Sequence, residues 1–243
     1  MVYSPDQDAH GQAMLDFLEG KEAFELIERD DGMIAPSGGP EAYFTEPDSW
    51  AQYAKDALEH VHGRVLDIGC GAGRLSLVLQ ERGHDVVAVD ISPGAVETSK
   101  RRGVRDVREM SVTQVGPDLG TFDTIVMFGN NFGLFGSEKR TRWLLRRFHR
   151  LTTDSGRIVA ESLNPYQTDE EIHLGYHERN RRRGRMGGQI RVRARYKNHR
   201  TPWFDYLLVS EEEMRGLLEG TGWRLEHVFD SGEGPYSVVI GKN

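Results

Sequence analysis

Cysteine is almost absent from this sequence: of 243 residues, only Cys70 carries a thiol. One cysteine excludes an internal disulfide and any cysteine-cluster zinc site, and no metal site is expected. Long apolar runs are missing too. None approaches the ~18 residues that cross a bilayer, so no membrane association is expected. Positive charge is not in excess, since 31 Lys and Arg face 38 Asp and Glu, for a net charge of −7. That balance disfavours nucleic acid as a partner, and an anionic membrane surface equally. The first residues, Met1 to Asp6, show no basic region followed by an apolar one. This predicts no signal peptide and a cytoplasmic location. Apolar, charged and aromatic fractions are ordinary for a globular fold. The length suffices for one sizeable core, with room for a lid or an insertion.

What the chain does have is a glycine bend. Val65, Leu66 and Ile68 form an apolar run that predicts a short buried strand. Gly69, Gly71 and Gly73 follow at alternate positions, where side chains would obstruct a ligand. Leu75, Leu77, Val78 and Leu79 then predict a helix, closed by Gly83. Strand, glycine loop and helix in that order aim backbone N–H groups at a polar ligand. Three details narrow the ligand. Arg74 stands where a dinucleotide fingerprint wants a third glycine. Asp67, two residues before Gly69, would repel a pyrophosphate but suits a cationic amino group. A second apolar run, Val86 to Val89, ends in Asp90, about twenty residues after the first glycine, where a carboxylate takes ribose hydroxyls. A ligand with an amino-acid cation, a ribose and no phosphate is S-adenosylmethionine. Cys70 inside the bend is expected to fill a tight corner rather than react.

The run from Asp67 to Gly73 resembles the first motif of class I S-adenosylmethionine-dependent methyltransferases, and Val87 to Ser92 resembles their second. The similarity covers roughly residues 63–164, and 210–242 more loosely. It implies an α/β, Rossmann-like, doubly wound, seven-stranded mixed sheet of order 3-2-1-4-5-7-6, the last strand antiparallel. It also implies an N-terminal helical lid over residues 1–60 and a core over 61–243. Residues 167–209 interrupt that core as a cap or β-rich insertion after strand five. The cofactor implied is S-adenosyl-L-methionine. Its expected contacts are Asp67, Gly69, Cys70, Gly71, Gly73, Asp90 and Ile91, with Met110 and Ser111 near the adenine, and Phe128 and Gly129 at the end of strand four.

The rest of the chain supplies the expected acceptor side. Ala13 to Ile27 predict a helix interrupted at Gly20, and residues 50–60 a second one, with Tyr43 among the lid candidates. Ser92, Pro93, the basic triplet Lys100 to Arg102 and Gly103 punctuate another helix. A third strand is expected over residues 104–108 and a fourth over 122–128. Asn130, Asn131 and Phe132 follow the fourth, where an open parallel sheet holds its ligands. Turn chemistry is the alternative for the two asparagines. Ser137 predicts a helix cap, with Trp143, Leu144, Phe148 and Leu151 facing inward and the arginines from Arg140 to Arg150 outward. Asn164 and Tyr166 close the fifth strand. Asn164-Pro165-Tyr166 resembles a motif of amino-group methyltransferases, but that motif follows the fourth strand, so the likeness is treated as accidental. Glu161, Tyr166, His173 and His177 are candidate general bases, with no choice among them.

The stretch 167–200 holds ten basic residues against four acidic ones. Ile190, Val192, Ala194 and Tyr196 alternate with Arg191, Arg193 and Arg195, which predicts a half-exposed strand, with residues 203–209 as its partner. The arginines fit a solvated face or subunit contact, and alternatively a cap over an anionic acceptor or RNA. Ser210 and Glu213 predict a capping box. Residues 223–229 and 236–241 predict a closing hairpin. The expected activity is methyl transfer to an oxygen or nitrogen of a small-molecule acceptor, by a monomer or homodimer. RNA or protein methylation, or a catalytically silent cofactor-binding module, are the alternatives.

Overall fold

A computed structural model of the chain describes residues 3–243. Helix α1 (Ala9–Leu18) comes first, capped by Asp8, whose carboxylate accepts the Gly11 N–H at 3.1 Å. The helix does not continue to Ile27 as its apolar spacing predicts. Gly20 turns the backbone left-handed at φ 76°, and Leu26 and Ile27 enter strand β1 (Leu26–Arg29). β1 pairs antiparallel with β2 (Ile34–Pro36). The expected helical lid is therefore part strand.

Helix α2 (Gln52–Leu58), strand β3 (Arg64–Ile68), helix α3 (Arg74–Glu81), strand β4 (Asp85–Asp90), helix α4 (Pro93–Arg102) and strand β5 (Asp106–Glu109) alternate in turn. Ser92 caps α4 by accepting the Ala95 N–H at 3.0 Å, and left-handed Gly103 closes it. Strand β6 (Phe122–Met127), helix α5 (Glu138–Leu151) and strand β7 (Thr152–Leu163) follow. Leu144, Phe148 and Leu151 of α5 are buried, but Trp143 is not: it is 45% exposed, at the rim of the buried stripe. Some of the arginines expected in solvent are tied down. Arg140 donates to the Phe135 carbonyl, and Arg142 to the carbonyls of Gly216 and Glu219 at 2.9 and 2.8 Å.

The segment after β7 begins with a helix the sequence did not announce, α6 (Glu171–Arg182), ahead of the expected strands. Gly175 sits mid-helix and only Tyr176, His177 and Asn180 are buried, which leaves a weak helical period to read. Strand β8 (Gln189–Tyr196) matches its predicted alternation: Val192, Ala194 and Tyr196 are buried. β9 (His199–Arg200) and β10 (Phe204–Leu207) are short. The small sheet runs β10-β8-β1-β2, with β9 on β8. β8 lies antiparallel to β1, from Leu26 opposite Arg195 to Arg29 opposite Val192. Helix α7 (Glu211–Leu218) carries the expected capping box, and β11 (Trp223–Asp230) and β12 (Pro235–Lys242) form the hairpin.

The large sheet has seven strands in the order β11-β12-β7-β6-β3-β4-β5. β4 and β5 are parallel, as are β6 and β7, and β12 is antiparallel to both of its neighbours. Counted in chain order within the sheet, this is 3-2-1-4-5-7-6, the expected doubly wound α/β topology. Its inner strands bury apolar runs such as Val65–Leu66 and Ile125–Met127, as strands covered on both faces do. Two compact units divide the chain: 1–50 with 66–115 and 191–204, and 51–65 with 116–190 and 205–243. This division differs from the expected boundary at residue 60. Among the described residues no helix is long and apolar enough to cross a membrane.

Candidate functional site

The glycine bend is in the first unit. Gly69, Gly71 and Gly73 all take left-handed φ, at 75°, 56° and 78°. Gly69 and Cys70 donate their N–H groups to the Val89 carbonyl at 2.8 and 3.2 Å, which ties the bend to the end of β4. A Cβ on Gly73 would stand 2.5 Å from the Val104 side chain, so glycine is required there for packing as well as for φ. Gly71 is different. A Cβ on it would meet only Met14 and Tyr43, each at 3.6 Å. Cys70 is buried beside Ser99, and burial pushes its thiol well above the usual pKa, so it fills a corner as expected.

Two carboxylates flank the bend. Asp67 is 2% exposed and accepts the Ser76 hydroxyl at 2.6 Å. Burial, and then the nearby charge of Asp90, push its carboxyl up to about 6; the Ser76 bond and Arg74 only partly oppose them. Asp90 accepts the Gly71 N–H at 3.0 Å on one oxygen and the Ser92 N–H at 2.9 Å on the other. Its pKa too is raised, by burial, against those two bonds. Each oxygen keeps a lone pair for a further donor. The Arg74 guanidinium answers the Asp67 charge only weakly, as the smallest of these effects. It turns to the Ala42 carbonyl and the Thr45 hydroxyl, at 3.2 and 2.9 Å. A ligand that brings positive charge and paired hydroxyl donors fits this donor set, and a phosphate does not. The residues present therefore fit S-adenosylmethionine.

The other expected contacts of this unit stand close by in the chain. Ile91 follows Asp90 and is half-buried. Met110 donates its N–H to the Asp90 carbonyl at 2.7 Å, while Ser111 turns into a local loop with Thr113 and Gln114. Tyr43 directs its hydroxyl to Glu25 at 3.5 Å.

The acceptor candidates Asn130, Asn131, Phe132, Asn164 and Tyr166 are in the second unit, with Phe128 and Gly129. Phe128 is buried and Gly129 exposed. Gly129 donates its N–H to Glu161 at 2.5 Å, which joins the end of β6 to that of β7. Asn130 is left-handed at φ 63°, and its carbonyl accepts the Tyr206 hydroxyl at 2.5 Å. Burial, and then the charge of Glu161, raise the Tyr206 pKa. Three of these residues have partners inside the fold. Phe132 is fully buried and packs edge-on against Phe135 at 4.9 Å, so it offers no open face. Asn164 accepts the Tyr166 N–H at 3.1 Å in a local turn. Tyr166 donates its hydroxyl to Glu213 at 2.5 Å and lies under Arg181, so its polar atom is engaged inside the fold.

Sequence reading missed Asp8, His10, Glu25 and Tyr206. Asp8 accepts the Ser92 hydroxyl at 2.6 Å and the Gly94 N–H at 2.7 Å besides capping α1. An acid directly before a helical run was a signal for the cap, though not for its distant partners. Nothing local announced the other three.

Comparison with known proteins agrees with this geometry. Residues 65–156 match the family profile of a methyltransferase domain. A crystal structure of a SAM-dependent methyltransferase from Bacteroides fragilis, in complex with S-adenosyl-L-homocysteine, is similar over 100% of this chain and 98% of that one, with TM-score 0.85 and 25% identity. The magnesium-protoporphyrin O-methyltransferase of Rhodobacter capsulatus is 45% identical over 26% of this chain and 30% of its own length. The cypemycin N-terminal methyltransferase of a Streptomyces species is 32% identical over 59% of this chain and 54% of its own. The chain thus spans about a third to about half of these two relatives. Sheet order, glycine bend, acid pair and domain match together place this chain among the class I S-adenosylmethionine-dependent methyltransferases.

Proposed function

We propose that the chain transfers a methyl group from S-adenosylmethionine to an oxygen or nitrogen of a small-molecule acceptor. The observation that carries the reading is Asp90: a carboxylate held by two backbone N–H groups at the end of β4, beside a side-chain-free bend. When bound, the cofactor supplies an activated methyl group, so the protein's part is mainly position and exclusion of water. Gly71 lets the backbone approach the ligand, Asp90 takes the ribose hydroxyls, and the buried charge of Asp67 favours a cationic ligand over an anionic one. Gly129, Asn130 and Glu161 stand at the carboxyl ends of β6 and β7, the edge where open sheets bind ligands. The single buried thiol suits a reducing cytoplasm.

A peptide amine is the second reading, favoured by the relative named for methylating the N-terminus of cypemycin. RNA is disfavoured by the arginine stripe itself. Arg193 is paired with Glu28 at 2.8 and 2.9 Å and Arg195 reaches the same carboxylate at 3.3 Å, so internal charge already answers both. The test has two stages. Calorimetry with S-adenosylhomocysteine should show saturable binding. Incubation with labelled S-adenosylmethionine and separate pools of phenols, small amines and peptides should then label one pool. Label appearing only in the peptide pool selects the second reading, and absence of nucleoside binding removes both.

A further inference from the structure

Near Asp90 lies a buried ion pair that the reading above does not use. His10 on α1 places Nδ1 2.6 Å from a Glu25 carboxylate oxygen, and Glu25 is fully buried. The Tyr43 hydroxyl reaches the second Glu25 oxygen at 3.5 Å. No partner of His10 Nε2 stands among the described residues. The imidazole is 24% exposed, and Nδ1 rather than Nε2 is its fully buried ring nitrogen.

Its position on the helix says which ligand. Met14 stands four residues later, on the same face of α1, and is one of the two side chains nearest a Cβ on Gly71. The other is Tyr43, which also holds Glu25. The start of α1 is anchored to the start of α4 by Asp8, through Ser92 and Gly94, right after Asp90. One face of α1 therefore runs along the glycine bend and the ribose-binding acid, all within one compact unit. Four groups face His10: Glu25 ahead of β1, Tyr43 through Glu25, Asp8 at the α1 cap and Asp90 at the end of β4. Tyr3 stands beside the last two acids.

We propose that His10, braced by Glu25, is a further cofactor contact that donates from Nε2 to a ribose oxygen of the nucleoside whose hydroxyls Asp90 accepts. The proposal rests on the cofactor reading above and deepens it. A ribose hydroxyl has one proton to give and two lone pairs to offer. Asp90 can take the protons, and a cationic donor on the far side takes up the lone pairs. Burial on its own would lower the His10 pKa, but Glu25, Asp90 and Asp8 outweigh it and raise the value. With the Nδ1 proton turned to Glu25, Nε2 is a donor only in the imidazolium form, which is thus favoured in the fold.

The experiment is calorimetric titration of the full chain with S-adenosylhomocysteine and with methylthioadenosine, across pH. The second probe keeps the ribose and lacks the amino acid. Affinity should be highest once Asp90 is ionised and His10 is still protonated, and should fall as pH rises through the imidazole pKa. His10→Gln should weaken both probes about tenfold near neutral pH, as one charge-assisted bond would, and abolish the alkaline fall. Glu25→Gln should shift that fall to lower pH. By NMR, probe binding should raise the pKa of the His10 ring in the unsubstituted protein. A folded His10→Gln chain that binds both probes as tightly as its parent at every pH overturns the proposal. So does a ring pKa that binding leaves in place, a readout that stands even if a variant fails to fold. A parent chain that ignores both probes instead overturns the cofactor reading on which the proposal rests.

Discussion

The corner around Asp90 and the loops around Glu161 both stand at the carboxyl ends of parallel strands, yet they hold their polar groups differently. At the corner the carboxylates meet mostly backbone: Asp90 takes Gly71 and Ser92 N–H groups, and Asp8 takes those of Gly11 and Gly94. In the loops, side chains are tied to one another or to the main chain, as in Tyr166 with Glu213 and Tyr206 with Asn130. Backbone donors are present in every variant, so the corner's geometry depends on a few glycines and acids. The loops depend on partners far away in the sequence. The first kind of site tolerates little change at its glycines, and the second can be retuned one side chain at a time.

The harshest way to break the corner is through its packing. A Cβ on Gly94 would stand 2.6 Å from the Gly11 carbonyl carbon, where neither helix has a flexible atom to move. Gly94→Val should therefore destabilise the chain by at least about 3 kcal/mol, by forcing α1 off α4. Thermal denaturation would show it, and a midpoint within a degree or two of the parent would mean that α1 does not dock there.

Asp67 sharpens the contrast through pH. Its carboxyl is raised from 3.8 to about 6 in the fold, so folding binds its proton more tightly than the unfolded chain does. The stabilising effect of that proton is full below about 3.8 and is lost as pH rises through about 6. Asp67→Asn removes this loss. The variant should be more stable than the parent by about 2–3 kcal/mol at pH 7, the two converging below pH 4, because a shift of that size carries that much free energy. The cofactor-free chain is the right material for denaturation at both pH values. The same variant should bind S-adenosylmethionine less tightly, a trade between stability and function. Asp90→Asn tests the neighbouring acid without a cavity. It should weaken S-adenosylhomocysteine binding by about 10–100-fold, the equivalent of 1–3 kcal/mol for bonds to a buried charged acceptor. Unchanged affinity by calorimetry would refute the ribose assignment.

The same contrast explains what the sequence made legible. The glycine bend, the acid at the end of β4 and the caps at Ser92, Ser137 and Ser210 rest on neighbours a few residues apart, and the structure has them as expected. Strand β1 was hidden because one of its two partners, β8, lies far along the chain, and pairing overrode an apolar spacing that suited a helix. Helix α6 was hidden because two of its three large apolar side chains, Ile172 and Leu174, face solvent. The burial of Phe132 could not be read either, since it depends on Phe135 turning back against it through a short 3-10 turn. His10 and Glu25 are near in sequence, yet a helix end and a loop separate them, and no period links such a pair.

Tyr166 offers the smallest effect and the cleanest separation between the two regions. Its hydroxyl serves Glu213, which also closes the capping box by accepting the Ser210 N–H at 3.0 Å on its other oxygen. Burial, with Glu213 next, pushes the phenol up to about 12, so it stays a donor at any ordinary pH. Tyr166→Phe deletes that donor but keeps the ring under Arg181 and against His177. The loss should be about 1 kcal/mol of stability, one hydrogen bond's worth, because the remaining contacts of Glu213 survive. Binding of S-adenosylhomocysteine should not change, since the cap of α7 and the glycine bend belong to different units. Denaturation and calorimetry on one variant thus read the two regions separately. Full stability with impaired methyl transfer would instead return Tyr166 to the acceptor site, where its place after the fifth strand first put it.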